Sequence, residues 1–118
     1  MKFEKPVFVQ IVEMIEDDIL SGRYGVDDMI ISTTQISKLL SVNPTTSVKA
    51  VSILNDRGIL YKKRGVGMAV TQEAKEIILR ERRETFFEQF VPEFIESANK
   101  IGISVEDLLK IIKEHGHD

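Results

Sequence analysis

Lys62, Lys63 and Arg64 run directly into Gly65-Val66-Gly67, and the chemistry open to such a stretch is the binding of phosphate. Three cations can neutralise anionic oxygens, while glycines let a backbone turn through positive φ or approach a ligand closely. A second group, Thr45, Thr46, Val48 and Lys49, follows directly on Asn43-Pro44. Hydroxyls that donate or accept, and an ammonium suited to phosphate or guanine, are side chains that meet base edges when they lie near a helix N-terminus. Catalysis has far less to work with. The chain has no cysteine and only two histidines, His115 and His117, both at its end. No nucleophile–base or paired-carboxylate constellation can be assembled, so an enzyme is not expected. No Cys or carboxylate cluster completes a metal site around those histidines, so neither a metal nor another cofactor is expected.

The net charge of −3 hides a segregation. Residues 1–31 hold three Lys/Arg against seven Asp/Glu, and residues 73–118 hold seven against eleven, so each flank carries −4. Residues 32–72 hold six basic residues and one acid, Asp56, for +5. A basic island between acidic flanks points to a polyanionic partner. A dinucleotide-phosphate loop is disfavoured, because that fingerprint needs a third glycine where Val70 stands and must open a helix after a strand. The acidic residues of the first helix, Glu13, Glu16, Asp17 and Asp18, read as a solvated face. With 42% hydrophobic and 30% charged residues, the 118-residue chain has the composition of a soluble globular protein. No apolar run approaches the roughly 18 residues of a membrane span, and no small-residue cleavage site follows the N-terminus, so a cytoplasmic protein is expected.

The elements that must position these groups are legible from periodicity and caps. Pro6 opens a helix whose apolar stripe is Phe8, Ile11, Val12, Ile15 and Ile19, closed by Gly22 and Gly25. Met29-Ile30-Ile31 suits a short strand. Ser32-Thr33-Thr34-Gln35 matches a capping box for a short helix through Ile36, Leu39 and Leu40. Asn43-Pro44 starts the next helix, which ends at Arg57-Gly58. Two short helices joined by a tight turn, the second capped at its start, form a helix-turn-helix pattern. Ile59-Leu60-Tyr61 and Met68-Ala69-Val70 bracket the basic stretch as a hairpin, with Gly65 and Gly67 turning its tip. Taken alone, that tip is either a solvated turn or a wing lying along nucleic acid; its place directly after the second helix raises the wing reading.

Thr71 suits an N-cap for a long helix from about Gln72, and Pro92 should end or kink that helix near Phe90. Gly102 stops the next stretch, and Ser104 caps a last helix carrying Leu108, Leu109 and Ile112. Phe86, Phe87, Phe90 and Phe94 crowd a tail too short for its own core, so they fold back on the domain or meet a second chain. A homodimer is favoured, with those phenylalanines, Leu108, Leu109 and Ile112 as its contacts. The expected architecture is mainly α: a winged helix-turn-helix of three helices and a small β-hairpin wing over residues 1–71, then a helical dimerisation tail over residues 72–118.

These residues resemble the GntR family of bacterial transcription regulators, in particular its small YtrA-like branch. The resemblance rests on KPVFVQIVEMIEDDILSG as opening helix, VNPTTSVKAVSILNDRGILYKKRGVGMAV as recognition helix and wing, and FFEQFVPEFIESANKIGISVEDLLKIIKE as tail. It implies a homodimeric repressor on a palindromic double-stranded DNA operator, in a branch often found beside transporter genes and with tails too small for a metabolite pocket. Carried over, the family's DNA contacts fall on Ser32, Thr34, Thr45, Thr46, Lys49, Arg64, Gly65 and Gly67. Where the family has Pro-Ser-x-Arg this chain has Ile31-Ser32-Thr33-Thr34, a departure that implies lower affinity, a different operator or more contact load on the wing. The other reading of the same fold is a protein-interaction module without DNA binding; it would call for apolar anchors where Lys62-Lys63-Arg64 stand.

Overall fold

The computed structural model describes residues 5–116. It holds helices α1 (Val7–Leu20), α2 (Thr33–Leu40) and α3 (Pro44–Asp56), strands β1 (Leu60–Lys63) and β2 (Gly67–Val70), and helices α4 (Ala74–Thr85), α5 (Val91–Lys100) and α6 (Val105–His115). Between α4 and α5 lies a single π turn, Phe86–Phe90. The chain divides into two compact units, one ending at Arg80 and the other beginning at Glu81.

The first unit is built on caps that the sequence announces. Ser32 Oγ accepts from the Gln35 N–H while the Ser32 N–H donates to Gln35 Oε1, closing the capping box at the start of α2. Ser41 then turns the chain in the left-handed region (φ 53). Asn43 Oδ1 accepts from the Thr45 N–H, and Pro44 takes the first helical position of α3, where a missing N–H costs nothing. Gly58 (φ 80) ends α3 and feeds the hairpin. The strands pair antiparallel with Leu60 opposite Val70 and Lys63 opposite Gly67. Ile11, Ile15, Ile36, Leu54, Ile59, Leu60, Val70 and Ile78 form the centre of the core, each essentially without solvent access.

Three expectations meet a different outcome here. Met29-Ile30-Ile31 is no strand of its own; Met29 makes one antiparallel bridge to Ala69 on the free edge of β2. Thr71 does not cap a helix with its side chain: its hydroxyl donates to the Gly58 carbonyl at 2.6 Å, and α4 begins only at Ala74. Glu16 is not on a solvated face. It is 4% exposed, and its carboxylate accepts from Arg57 at 2.6 Å, joining α1 to the end of α3.

Ser47, fully buried in α3, shares a hydrogen bond of 2.7 Å with Ser37 of α2. This pair explains how a hydroxyl is accommodated at an interior position of the helix-turn-helix. Ser47→Ala alone leaves the Ser37 hydroxyl without that partner and is expected to cost about 1–2 kcal/mol, whereas Ser37→Ala with Ser47→Ala should cost less than the two single changes added together. Urea melts of the three variants check it.

In the second unit Pro92 does not end the helical path. A proline in a helix interior lacks an N–H and crowds the carbonyl four residues back, so a regular α ladder cannot pass it undisturbed. The ladder shifts one turn earlier, where the Val91 N–H donates to the Phe86 carbonyl five residues back. Within this turn Phe86 stacks on Phe90 with centroids 5.2 Å apart and planes 14° apart. Gly102 (φ 76) turns the chain after α5, and Ser104 Oγ accepts from the Asp107 N–H to cap α6.

Candidate nucleic-acid interface

Helix α3 offers side chains at its start. Thr45, Val48 and Lys49 are exposed and Thr46 is half-buried. The main chain offers little there, because Pro44 has no N–H and the Thr45 and Thr46 amides donate to the Asn43 side chain and carbonyl at 2.9 Å each. Any reading of a ligand by this helix therefore falls to the threonine hydroxyls, the Val48 methyls and the Lys49 ammonium. Lys49 has a neighbour that the sequence does not announce: its Nζ lies 3.9 Å from the centre of the Phe8 ring on α1. The ring face holds the cation electrostatically and narrows its range of positions. Ser32 and Thr34 are exposed at the first turn of α2; the Ser32 oxygen accepts the cap hydrogen bond, which leaves its O–H to donate.

The hairpin leaves the core at Leu60 and returns at Val70, both buried. Between them Lys62, Lys63, Arg64 and Gly65 are exposed, with Gly65 at φ 73 and Gly67 at φ 146. Val66 at the tip is exposed as well. The base of the hairpin involves residues missed in the sequence. Tyr61 Oη donates to Asp27 Oδ1 at 2.7 Å, and that hydrogen bond, followed by desolvation and the carboxylate charge, raises the phenol above its usual value of 10.0. The folded chain holds the phenol proton more tightly than the unfolded one, so the stability this bond contributes is lost as pH rises through the raised value.

In the second unit Phe86, Phe87, Phe90, Phe94, Leu109 and Ile112 are exposed and Leu108 is half-buried. An open groove of about 420 Å³ runs between Phe86, Phe90, Phe94 and Ile95 on one side and Val105, Leu108, Leu109 and Ile112 on the other. Ile95 carries on the apolar face that helical periodicity marks around the phenylalanines, and Val91 and Val105 complete the lining. Every lining side chain is apolar. Among the described residues no group of three His, Cys, Asp or Glu is placed to hold a metal, and no helix is long and apolar enough to cross a membrane. His117 lies outside the described residues.

No family model matches the chain. It is 27% identical over 113 residues to the HTH-type transcriptional repressor YtrA of Bacillus subtilis, covering 96% of this chain and 86% of the repressor. A GntR family transcriptional regulator from Listeria monocytogenes superposes with a TM-score of 0.73 and 31% identity, covering 97% of this chain and 98% of the other. The DNA-binding domain of AraR, solved in complex with its operator ORR3, matches 60% of this chain and 86% of its own length, with 28% identity and a TM-score of 0.57.

Proposed function

We propose, from the premise that this chain belongs to the GntR family of transcriptional regulators and resembles its YtrA-like branch, that it is a sequence-specific double-stranded DNA-binding repressor. Residues 1–71 bind DNA, with Ala74 and Ile78 completing their core, and residues 72–118 join two copies into a homodimer. Each α3 enters a major groove and reads bases with Thr45, Thr46, Val48 and Lys49; each hairpin lies along the neighbouring backbone with Lys62, Lys63 and Arg64. Ser32 and Thr34 approach the backbone beside α2. The observation that carries this reading is the likeness of the winged helix-turn-helix to an AraR domain solved on its operator, in a chain whose hairpin tip presents three exposed cations.

The apolar groove of the tail supports the dimer. A metabolite pocket carries a few polar groups that orient its ligand, and this groove has none; a second helical face is the occupant its lining suits. Two-fold pairing places half-sites about one helical turn apart, roughly 34 Å. The test is titration of the full chain with the DNA upstream of its own gene, against competitor DNA, alongside Phe90→Glu. The wild type should prefer that duplex and occupy both half-sites cooperatively. Phe90→Glu places a charge in an apolar contact and should weaken self-association by about 10²-fold, seen in sedimentation, with cooperativity lost and the melting temperature of the monomer kept. Absence of any DNA binding at low salt would overturn the assignment in favour of a protein-interaction module.

A further inference from the structure

A hairpin of two four-residue strands has little rigidity of its own, and two-stranded ribbons twist more than wider sheets. Here the loop before α2 runs along the outer edge of β2 as a partial third strand. The Asp27 N–H donates to the Val70 carbonyl at 2.8 Å, the Val70 N–H to the Asp28 carbonyl at 3.1 Å, and the Ile30 N–H to the Met68 carbonyl at 3.0 Å. Met29 bridges Ala69, which itself pairs with Tyr61 on β1. From there the Tyr61 hydroxyl spans β2, over the small and fully buried Ala69, to the Asp27 carboxylate. Closer to the tip the Met29 methyl covers Gly67 so tightly that a Cβ built there would lie 2.7 Å from it. Asp27 holds the left-handed conformation at φ 67, which non-glycine residues enter rarely. Its neighbour Asp28 serves the loop, accepting from the Gly25 N–H at 2.7 Å, whereas the Asp27 side chain is committed to the hairpin.

We propose that the Asp27–Met29 loop is a brace that fixes the attitude of the basic hairpin, with Asp27 and Tyr61 as positioning residues for DNA binding. The inference rests on the reading that the hairpin tip meets phosphate. Side chains on a braced ribbon reach the backbone with less freedom to lose on binding, so the three cations act together. Neither Asp27 nor Tyr61 contacts DNA in this arrangement; each acts through Lys62, Lys63 and Arg64.

The full chain is titrated with a mixed-sequence DNA duplex over a salt series, since phosphate neutralisation is independent of sequence. Tyr61→Phe removes one hydroxyl. Asp27→Gly removes the carboxylate and relieves the backbone at once, so the variant folds at least as readily. Each should weaken binding about tenfold and lower the salt slope by about one, with the thermal midpoint held within a few degrees. The double variant should match either single one, and Asp27→Asn, which keeps an acceptor and tolerates positive φ, should restore affinity. In a Lys62/Lys63/Arg64→Ala background the brace variants should have no further effect. Wild-type affinity and slope in Tyr61→Phe and Asp27→Gly, while the triple variant is weakened, would overturn the brace and leave the wing in place. Equal losses with and without the three cations would overturn it too, by showing a structural role. If the triple variant binds as well as wild type, the wing reading fails and the brace goes with it.

Discussion

Replacing Lys62, Lys63 and Arg64 together by Ala is expected to weaken binding to every duplex by about 10²-fold or more per wing at moderate salt, and to flatten the dependence of log K on log salt by about 2 to 3 per wing. The magnitude follows from counterion release: each neutralised phosphate contributes a slope of about 0.9, and at 0.1 M salt each such contribution is close to an order of magnitude in affinity. All three side chains are exposed and lie outside the buried core, so the thermal midpoint should barely move. Discrimination among sequences should survive, because it is assigned to Thr45, Thr46, Val48 and Lys49 on α3. The measurement is a pair of salt series on a specific and a mixed-sequence duplex. An unchanged slope would remove the hairpin from the interface, whatever happened to affinity.

Much of the fold can be read from short-range chemistry. The capping box at Ser32 and Gln35, the Asn43 cap with Pro44 and the turn glycines at 58, 65 and 102 all act within a few residues of themselves. Such signals survive translation from sequence to structure because their partners are adjacent in both. The candidate site is legible to the same extent: α3 and the hairpin tip are where local rules put them. What local rules miss is contact across the chain. Asp27 and Tyr61 are 34 residues apart, and Glu16 and Arg57 are 41 apart. The place of Lys49 near the start of α3 is legible, whereas its seat over Phe8 on another helix is not. Pro92 signals a break or a kink near Phe90; the disturbance falls there, but its form, a ladder shifted by one residue, is not written in the local sequence.

Glu16 shows why charge misleads when it is read before phase. It stands four residues after Val12 and next to Ile15, inside the angular sector of the α1 stripe that faces the core. Its carboxylate is buried against a guanidinium at 2.6 Å, and a bidentate-capable cation is well suited to such a site. Removing that cation leaves a carboxylate short of its main counter-charge in a low-dielectric place, which is far worse than never having had either group. Arg57→Met is therefore expected to cost about 3 kcal/mol and to lower the thermal midpoint by about 10 °C or more. Glu16→Met combined with Arg57→Met should recover most of that loss, since two apolar side chains of similar length can fill the same space. The cost has a functional side. Arg57 sits at the last turn of α3, one residue before Gly58 hands the chain to the hairpin, so loosening it frees the recognition helix and the wing relative to α1. Arg57→Met should then weaken DNA binding well below its melting temperature, and the double variant should restore both properties together. A single variant that melts within about 1 kcal/mol of wild type would instead place the pair among surface ion pairs, and the anchoring of α3 would fall to its buried apolar residues, Ala50, Val51 and Leu54, and to Lys49 over Phe8.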